Sequence, residues 1–506
     1  MRADRRGLLC LAFLGAAFTY HLYHALQGWN RPIADFNPWR QSQTALTAWY
    51  FLRDGFSLAY PLPVLGPPWS IPFEFPTYQG LVALLASLTG FPLESCGRAV
   101  SLIAFYASLP AVNLLLRERF AMGSERFFVL GFLLLSPLYV AWSRAFSIES
   151  TALALSVWYL AAFHRWALRP SIGRGIWLLG LGVLAGLTKI TTLFIFSAAA
   201  VAILVTTLGA RPSMWRERAR FVVATVILAF VLPLATTLVW VAYTDAIKAS
   251  GPLTATLTSS ALADWNYGSL AQRLSPATWR QFEHFAENLV VSRYTLLLAA
   301  LSLALYPENG RRVLLLTGLF VLPLLVFTNL YVAHDYYWCA NGFLVLVALG
   351  MAFAPLVSRP SVPLAAGVIA CVLVFYQYRN TYNGWYGPTQ RQAVSPLLPL
   401  AGKIQELTQP ERYSVVYGAY WDPLLAYHSQ RRMIMTTMAH PQTPLEAPPM
   451  SAAIAGAGRD NLGTLVFVGP IREDTGFVNA QLRTLGIRSG PAYADAFGTV
   501  YLIPSL

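Results

Sequence analysis

Apolar segments of membrane-spanning length recur along the first three quarters of this 506-residue chain, and they constrain its fold more than any other feature. A bilayer core about 30 Å thick needs roughly 20 apolar residues per α-helix, and a helix satisfies its own backbone hydrogen bonds there. Charged residues make up only 12% of the chain, against about 25% in soluble domains. We therefore predict an all-α polytopic membrane protein with about eleven transmembrane helices, at 7–26, 97–116, 125–142, 150–167, 174–188, 190–208, 221–243, 286–305, 312–331, 340–357 and 361–377.

The basic residues indicate the orientation, because Lys and Arg are enriched in short cytoplasmic loops. With an uncleaved first helix and a cytoplasmic N-terminus, those loops hold 16 arginines and five acids, a balance of +11 out of the whole chain's +13. The basic composition thus reflects topology and is not a nucleic-acid footprint, since no basic cluster on a soluble segment is interleaved with stacking aromatics. The residues are Arg2, Arg5, Arg6, Arg117, Arg119, Arg126, Arg165, Arg169, Arg174, Arg211, Arg216, Arg218, Arg220, Arg311, Arg312 and Arg359, with Asp4, Glu118, Glu125, Glu217 and Glu308.

Two long loops and a soluble tail are predicted on the opposite, extracytoplasmic side. The first outer loop, 27–95, contains an amphipathic stretch at 41–53 and an apolar stretch at 77–90 that is too short to span, so we predict interfacial helices there. The second outer loop covers 244–285. Alternating apolar runs near the C-terminus predict a small α/β domain. The predicted domains are a transmembrane domain with its outer loops, 1–378, and a soluble extracytoplasmic domain, 379–506.

Charged and aromatic residues gather at the predicted outer face, in stretches that lie far apart in sequence. Isolated charges beside membrane segments are costly and often functional. Each residue has an ordinary explanation as well: a helix cap, a lipid-phosphate anchor or an interfacial aromatic belt. Together, these separate explanations account for the shared face less well than one site does. The candidates are Asp35, Arg40, Gln41, Gln43, Glu74, Arg144, Glu149, Lys189, His334, Asp335, Tyr336 and Tyr337.

These side chains have complementary chemistry. Carboxylates supply a general base, cations grip a phosphate, and aromatic rings offer flat surfaces to a sugar. An apolar flank offers a groove to a lipid tail. The set therefore suits transfer of a group from a lipid phosphate to an acceptor outside the cytoplasm, with cations stabilising the departing phosphate.

The order and spacing of five short motifs resemble the GT-C glycosyltransferase superfamily, in the branch of protein O-mannosyltransferases and the lipid A aminoarabinose transferase. The resemblance covers roughly residues 1–375. No single motif decides it, and the common side of the membrane makes it specific. The motifs are Trp39-Arg40-Gln41-Ser42-Gln43-Thr44-Ala45, Glu74-Phe75-Pro76, Ile148-Glu149, Thr188-Lys189 and His334 to Tyr337.

The resemblance implies an inverting displacement from a polyprenyl-phosphate-linked monosaccharide, in the plasma membrane of a bacterium, to a glycan, lipid or protein acceptor. By this likeness Arg40 and Lys189 hold the phosphate, and Asp35 corresponds to the family's base. Glu74 and Glu149 lie near the acceptor or a metal. The predicted substrate-binding set is Arg40, Gln41, Gln43, Lys189, His334, Asp335, Tyr336 and Tyr337.

The chain departs from the family at three positions. Phe36 follows Asp35 where the family has an Asp-Glu pair, Gln43 stands where relatives often have Asp, and Phe75 stands where the aminoarabinose branch has Lys. The base is therefore open between Asp35, Glu74 and Glu149. A divalent metal is also open, because no ligand spacing stands out.

Two other function classes fit the same pattern. A transporter or flippase of lipid-linked glycans places binding groups near mid-membrane, usually in repeated halves. A non-catalytic assembly subunit needs no base at all. Clean apolar spans, polar residues at helix ends and the lack of an internal repeat favour the enzyme.

Overall fold

The computed structural model describes residues 5–118, 120, 123–210, 215–392, 394–438 and 440–504. The chain divides into two compact units. The helical unit comprises Met1–Asn30, Gly97–Val239 and Ala263–Gln392. The mixed unit comprises Arg31–Cys96, Trp240–Leu262 and Ala393–Leu506, so it combines the first outer loop with the C-terminal tail.

The helical unit is built almost entirely from helices. A 3-10 turn at Asp335–Tyr337 precedes the helix Trp338–Ser358. A π-helical turn at Ile227–Val231 joins Trp215–Val226 to Leu232–Ala249, whose last part belongs to the mixed unit. The helices are α1 (Arg5–Leu26), α4 (Leu93–Arg117), α5 (Gly123–Leu135), α6 (Pro137–Trp142), α7 (Glu149–Leu168), α8 (Ile172–Ala210), α9 (Trp215–Val226), α10 (Leu232–Ala249), α11 (Ala263–Tyr267), α12 (Leu270–Leu274), α13 (Pro276–Phe285), α14 (Arg293–Leu305), α15 (Gly310–Val326), α16 (Thr328–Ala333), α17 (Trp338–Ser358) and α18 (Leu364–Gln392).

Within the described residues, six helices are long and apolar enough to cross a membrane, or seven if one bent pair forms a single span. The chain is thus an integral membrane protein, whereas the number eleven stays a prediction. The bent pair, Pro276–Val290 and Arg293–Leu305, turns by 84°. The six are Arg5–Leu26, Leu93–Arg117, Ile172–Gly209, Glu217–Ala249, Pro307–Val326 and Asp335–Ser358.

Helix breaks account for much of the difference between eleven expected spans and six long apolar helices. The predicted pair 174–188 and 190–208 is one element, α8, with a break at Lys189. The predicted span 125–142 is two short helices, because Pro137 starts a new helix immediately after Ser136. Hydropathy counts apolar residues along a window and does not register where the backbone turns.

Helix α17 forms the centre of the helical unit. In the most apolar stretch of Asp335–Ser358, 94% of the residues are buried. Helices α5, α14, α15 and α18 pack around α17. A helix that is apolar on all sides is typical of such a core position. The first turn of α17 is therefore held by its neighbours, and the aromatic residues that precede it are attached to a well-packed helix.

The mixed unit contains two helices from the first outer loop and a small sheet from the C-terminal tail. The tail's alternating runs lie on strands, as predicted, and the sheet order is β2-β1-β3-β5-β4. Strands β2, β1 and β3 are parallel, and β5 pairs antiparallel with β3 and β4. The elements are α2 (Pro38–Asp54), α3 (Thr77–Thr89), α19 (Leu397–Leu407), β1 (Tyr413–Tyr417), α20 (Pro423–Ser429), β2 (Arg432–Met435), α21 (Pro448–Ala457), β3 (Leu462–Val468), α22 (Thr475–Thr484), β4 (Tyr493–Ala494) and β5 (Gly498–Leu502).

The Pro-rich part of the first outer loop lies along the outer edge of strand β2. The amides of Met433 and Met435 donate to the carbonyls of Pro63 (2.9 Å) and Val64 (3.0 Å), and Leu65 forms a β-bridge with Ile434. An uncovered edge strand is a liability, and these bonds cover it. The sheet thus anchors the loop that carries Glu74.

Candidate functional site

A buried ion pair lies at the centre of the predicted residues of the helical unit. The Lys189 ammonium donates to Glu149 Oε2 at 2.5 Å, and the two side chains are 4% and 2% exposed. The Lys189 nitrogen also lies 4.1 Å from the ring centre of Tyr337 and 5.0 Å from that of Tyr336. A cation over an aromatic face gains electrostatic attraction from the ring.

Local backbone geometry places both charged groups. Glu149 is the first residue of α7, where the helix dipole favours an anion. Lys189 has an extended backbone (φ −165°, ψ 99°) inside α8, so its side chain leaves the helix where the regular hydrogen-bond ladder is interrupted. Such breaks are a recurring way to direct polar groups into a membrane-embedded site.

The loop before Glu149 is packed tightly against α4. The Ser101 hydroxyl donates to the carbonyls of Ala145 (2.6 Å) and Ser147 (3.2 Å). A Cβ atom on Gly97 would lie 2.2 Å from the ring of Phe146, so only glycine allows this approach. The position of Glu149 therefore depends on a glycine in α4, with α5 and α6 between the two in sequence.

An aromatic wall follows α16 and precedes α17. Tyr336 stacks on His334 with ring centres 5.0 Å apart, and it lies 4.8 Å from Tyr337 and 6.0 Å from Trp142. Asp335 lies in the same 3-10 turn. The predicted stretch from His334 to Tyr337 and the predicted pair of Glu149 and Lys189 thus come together in one unit.

The second group of predicted residues lies in the mixed unit. Arg40 donates through one terminal nitrogen to Gln43 Oε1 (2.9 Å) and through the other to Glu74 Oε1 (2.6 Å). Asn37 caps α2 by accepting from the Arg40 amide at 3.2 Å, and Pro38 follows it. The helix cap therefore fixes Arg40 on the first turn of α2. Its guanidinium group links the motif that begins at Trp39 to the motif that begins at Glu74.

Asp35 is fully buried and bonded within its own motif. Its Oδ1 accepts from Gln41 Nε2 at 2.7 Å, and the same nitrogen donates to the Phe36 carbonyl at 2.8 Å. Gln41 is buried as well. Asp35 and Gln41 thus form one bonded pair, and Arg40, Gln43 and Glu74 form a second group on the same helix start.

Aromatic residues hold the segment that carries Glu74. The Phe73 amide donates to the Tyr60 hydroxyl at 2.6 Å, Tyr60 donates to the Glu74 carbonyl at 3.1 Å, and the Trp240 indole donates to the Phe73 carbonyl at 2.9 Å. Trp421, from the loop after β1, lies 4.5 Å from Trp39 and 6.2 Å from Phe73 between ring centres. The aromatic surface beside Glu74 thus includes a side chain of the C-terminal tail.

Lys248 is a further candidate that the sequence prediction missed. It is 4% exposed, its nitrogen lies 2.9 Å from Asp245 Oδ1 and 5.1 Å from the ring centre of Phe73. Asp245 in turn accepts from the amide (2.9 Å) and hydroxyl of Ser259. Only three lysines occur in the chain, and Lys248 lies just beyond a predicted span. The reasoning that selected Lys189 therefore applies to it too.

No metal-ligand set is evident in the residues that the structure describes: no three His, Cys, Asp or Glu side chains lie close enough to share an ion. Glu149 and Glu74 are each paired with a cation. A divalent metal therefore stays an open prediction without an assigned ligand set. The roles predicted for Asp35, Glu74 and Glu149 and for the substrate-binding set stay predictions as well.

The fold is that of the GT-C membrane glycosyltransferases. One similar structure is ArnT, the lipid A aminoarabinose transferase, from Cupriavidus metallidurans. In its complex with undecaprenyl phosphate it superposes with a TM-score of 0.62 at 12% identity, over 98% of both chains. The apo oligosaccharyltransferase of Archaeoglobus fulgidus gives 0.52 at 13%, over 93% of this chain and 71% of its own. The mycobacterial arabinofuranosyltransferase AftD gives 0.54 at 14%, over 97% and 41%. No family model and no curated protein sequence matches the chain.

Proposed function

We propose that this protein transfers a monosaccharide from a polyprenyl-phosphate donor to an acceptor on the extracytoplasmic face of the membrane. The buried pair of Lys189 and Glu149 beneath two tyrosine rings carries the proposal. It combines a phosphate-binding cation, a carboxylate and a flat aromatic surface in a membrane-embedded unit. The shared fold with ArnT, which binds undecaprenyl phosphate, supports the donor class.

The proposed reaction is a single displacement. The acceptor gives its proton to a carboxylate while its oxygen or nitrogen attacks the anomeric carbon. The bond between that carbon and the phosphate oxygen breaks, polyprenyl phosphate leaves, and the configuration inverts. A cation stabilises the charge that develops on the phosphate, where preorganised cations act most strongly. Lys189 is the candidate for this role in the helical unit, and Arg40 is the candidate in the mixed unit.

Three carboxylates remain candidates for the base, and their surroundings differ. Glu149 is held by Lys189, Glu74 by Arg40, and Asp35 accepts from the neutral amide of Gln41. Removing a general base lowers the rate by about 10²- to 10⁴-fold. We expect a loss of this size for one of the variants Glu149→Gln, Glu74→Gln and Asp35→Asn.

The test uses purified full-length protein in detergent with a polyprenyl-phosphate sugar. Acceptors come from extracts of the membrane and cell envelope, and products are identified by mass spectrometry. Retention of transfer by all three carboxylate variants would overturn the proposal. The surface glycans of cells with and without the protein then identify the sugar and the acceptor.

We also propose the full topology: eleven spans, a cytoplasmic N-terminus and an extracytoplasmic C-terminal domain in a bacterial plasma membrane. The arginine balance of the predicted cytoplasmic loops supports it. Single cysteines in the C-terminal domain should react with an impermeant thiol reagent on intact spheroplasts, whereas a cysteine at Arg311 should react only after lysis.

A transporter of lipid-linked glycans is the second candidate, and one observation favours it. The break of α8 at Lys189 matches the discontinuous helices on which transporters build substrate sites. Cysteine accessibility at positions 189 and 335 separates the two functions. Labelling from both membrane faces supports transport, and labelling from the outside alone supports the enzyme.

A further inference from the structure

A groove in the helical unit lies among α4, α7 and α8, where α4 and α7 end and α8 begins. It has a volume of about 630 Å³ and continues into a smaller depression of about 210 Å³, since Leu114, Ala161 and Arg165 line both. Ligand sites commonly measure about 300–1,000 Å³. None of the residues proposed for sugar transfer lines it.

The chemistry of the groove changes along its length. Arg117, Arg165 and Arg174 belong to the terminal turns of the three helices. Farther from these ends the lining is apolar, with Trp158, Ala161, Ala162, Trp177 and Leu181. Trp158 lies two turns before Arg165, a rise of about 10 Å. The groove therefore has a basic end and an apolar interior.

Local bonds fix both ends of the groove. Arg174 donates to the carbonyls of Arg169 (2.6 Å), the C-cap residue of α7, and Arg165 (3.2 Å), in the last turn of α7. The Trp158 indole donates to the Ala107 carbonyl at 2.8 Å, so its polar atom is satisfied and its ring is available as an apolar wall. Trp177 is 70% exposed.

The charged residues that line the groove indicate what kind of ligand it binds. Among the lining residues that the structure describes, three arginines stand against one acid, Glu118, whose side chain is 57% exposed and 4.0 Å from His164. We propose that this groove binds an anionic phospholipid of the surrounding leaflet, with its headgroup phosphate at the arginines and an acyl chain along the tryptophans. Basic pockets at helix ends are a known means of binding acidic lipid headgroups. This inference goes beyond the proposed function and does not depend on it.

The test compares two matched double variants of the full-length protein. Arg117→Ala/Arg165→Ala removes two arginines of the groove, and Arg220→Ala/Arg311→Ala removes two exposed arginines elsewhere. Binding of phosphatidylglycerol and of phosphatidylcholine is measured by native mass spectrometry in detergent. We expect the first pair alone to weaken phosphatidylglycerol binding by about 30-fold, with phosphatidylcholine unchanged.

A third variant keeps the test decisive if the arginine pair impairs folding. Ala162→Trp fills the apolar interior, and we expect it to weaken phosphatidylglycerol binding while all surface charges remain. Equal phosphatidylglycerol binding by wild type and Ala162→Trp, or by the two arginine pairs, would overturn the proposal. A third result would also overturn it: saturable binding of polyprenyl phosphate that is stronger than binding of phosphatidylglycerol and is abolished by Ala162→Trp. The groove would then bind the carrier lipid.

Discussion

The two ion pairs among the candidate residues differ in exposure more than in distance. Lys189 and Glu149 are 2.5 Å apart and 4% and 2% exposed, whereas Arg40 and Glu74 are 2.6 Å apart and 8% and 23% exposed. Desolvating a charge is expensive, so a fully buried pair depends on both partners. The helical unit's pair is therefore part of its fold, and the mixed unit's pair can be altered with less structural cost.

The largest expected effect is at the buried pair. Either Glu149→Ala or Lys189→Ala leaves a buried charge without its partner, and we expect each to lower the free energy of unfolding by about 3–5 kcal/mol. Glu149→Gln/Lys189→Met removes both charges and should recover most of that loss. Thermal unfolding of purified protein in detergent measures all three. A double variant as unstable as the singles would contradict this interpretation.

The close approach at Gly97 gives the next largest effect. In Gly97→Ala the new methyl group overlaps Phe146, and overpacking of this kind costs about 1–3 kcal/mol. The loop that precedes Glu149 should shift, so transfer should fall as well. Gly180→Ala is the matched control, because nothing lies within 4 Å of a Cβ there. If both variants unfold at the same temperature, the packing argument is wrong.

Sequence reasoning was strongest where a residue's role is local. The strands follow the alternating runs, and the cap at Asn37 and Pro38 starts the predicted helix of the outer loop. The membrane class and the GT-C resemblance also hold, because composition and motif order carry them. The strand and cap signals are local, whereas composition and motif order are read along the whole chain.

Sequence reasoning was weakest where distant segments meet. Nothing in the stretch around Val64 indicates that it covers strand β2, and nothing near Trp421 indicates that it packs on Trp39. The predicted spans 174–188 and 190–208 meet at Lys189, where the structure has the break, but the sequence does not show that α8 continues through it as one element. Long-range packing decides these features, and a single sequence records it only weakly.

A third prediction concerns pH and applies to the mixed unit. Burial raises the pKa of Asp422 from 3.8 to about 6, against the bond it accepts from the Leu424 amide. The folded state thus holds the proton more tightly than the unfolded state. The destabilisation is complete above pH 6 and disappears as pH falls through 3.8.

Asp422→Asn keeps a helix cap and removes the charge. We expect it to be more stable than wild type by about 1–3 kcal/mol at pH 7.5, with no advantage at pH 3.5. Asp474→Asn, at the exposed cap of α22, is the control and should show a smaller change. Unfolding followed by tryptophan fluorescence across this pH range measures the difference, and a constant difference at all pH values would contradict it.

The smallest effect on stability, and the most informative for function, is expected at Arg40. Lysine keeps the charge but cannot reach Gln43 and Glu74 at once with a planar fork. We expect Arg40→Lys to change the unfolding free energy by less than about 1 kcal/mol, and to raise the KM for the lipid-linked donor by about 10-fold, the cost of roughly one charge-assisted hydrogen bond. Arg53→Lys makes the same substitution at the exposed end of α2, where Arg53 pairs with Asp54, and should leave KM unchanged. An equal KM for both variants would mean that the pair of Arg40 and Glu74 does not contact the donor, and the pair of Lys189 and Glu149 would then be the principal candidate for the phosphate site.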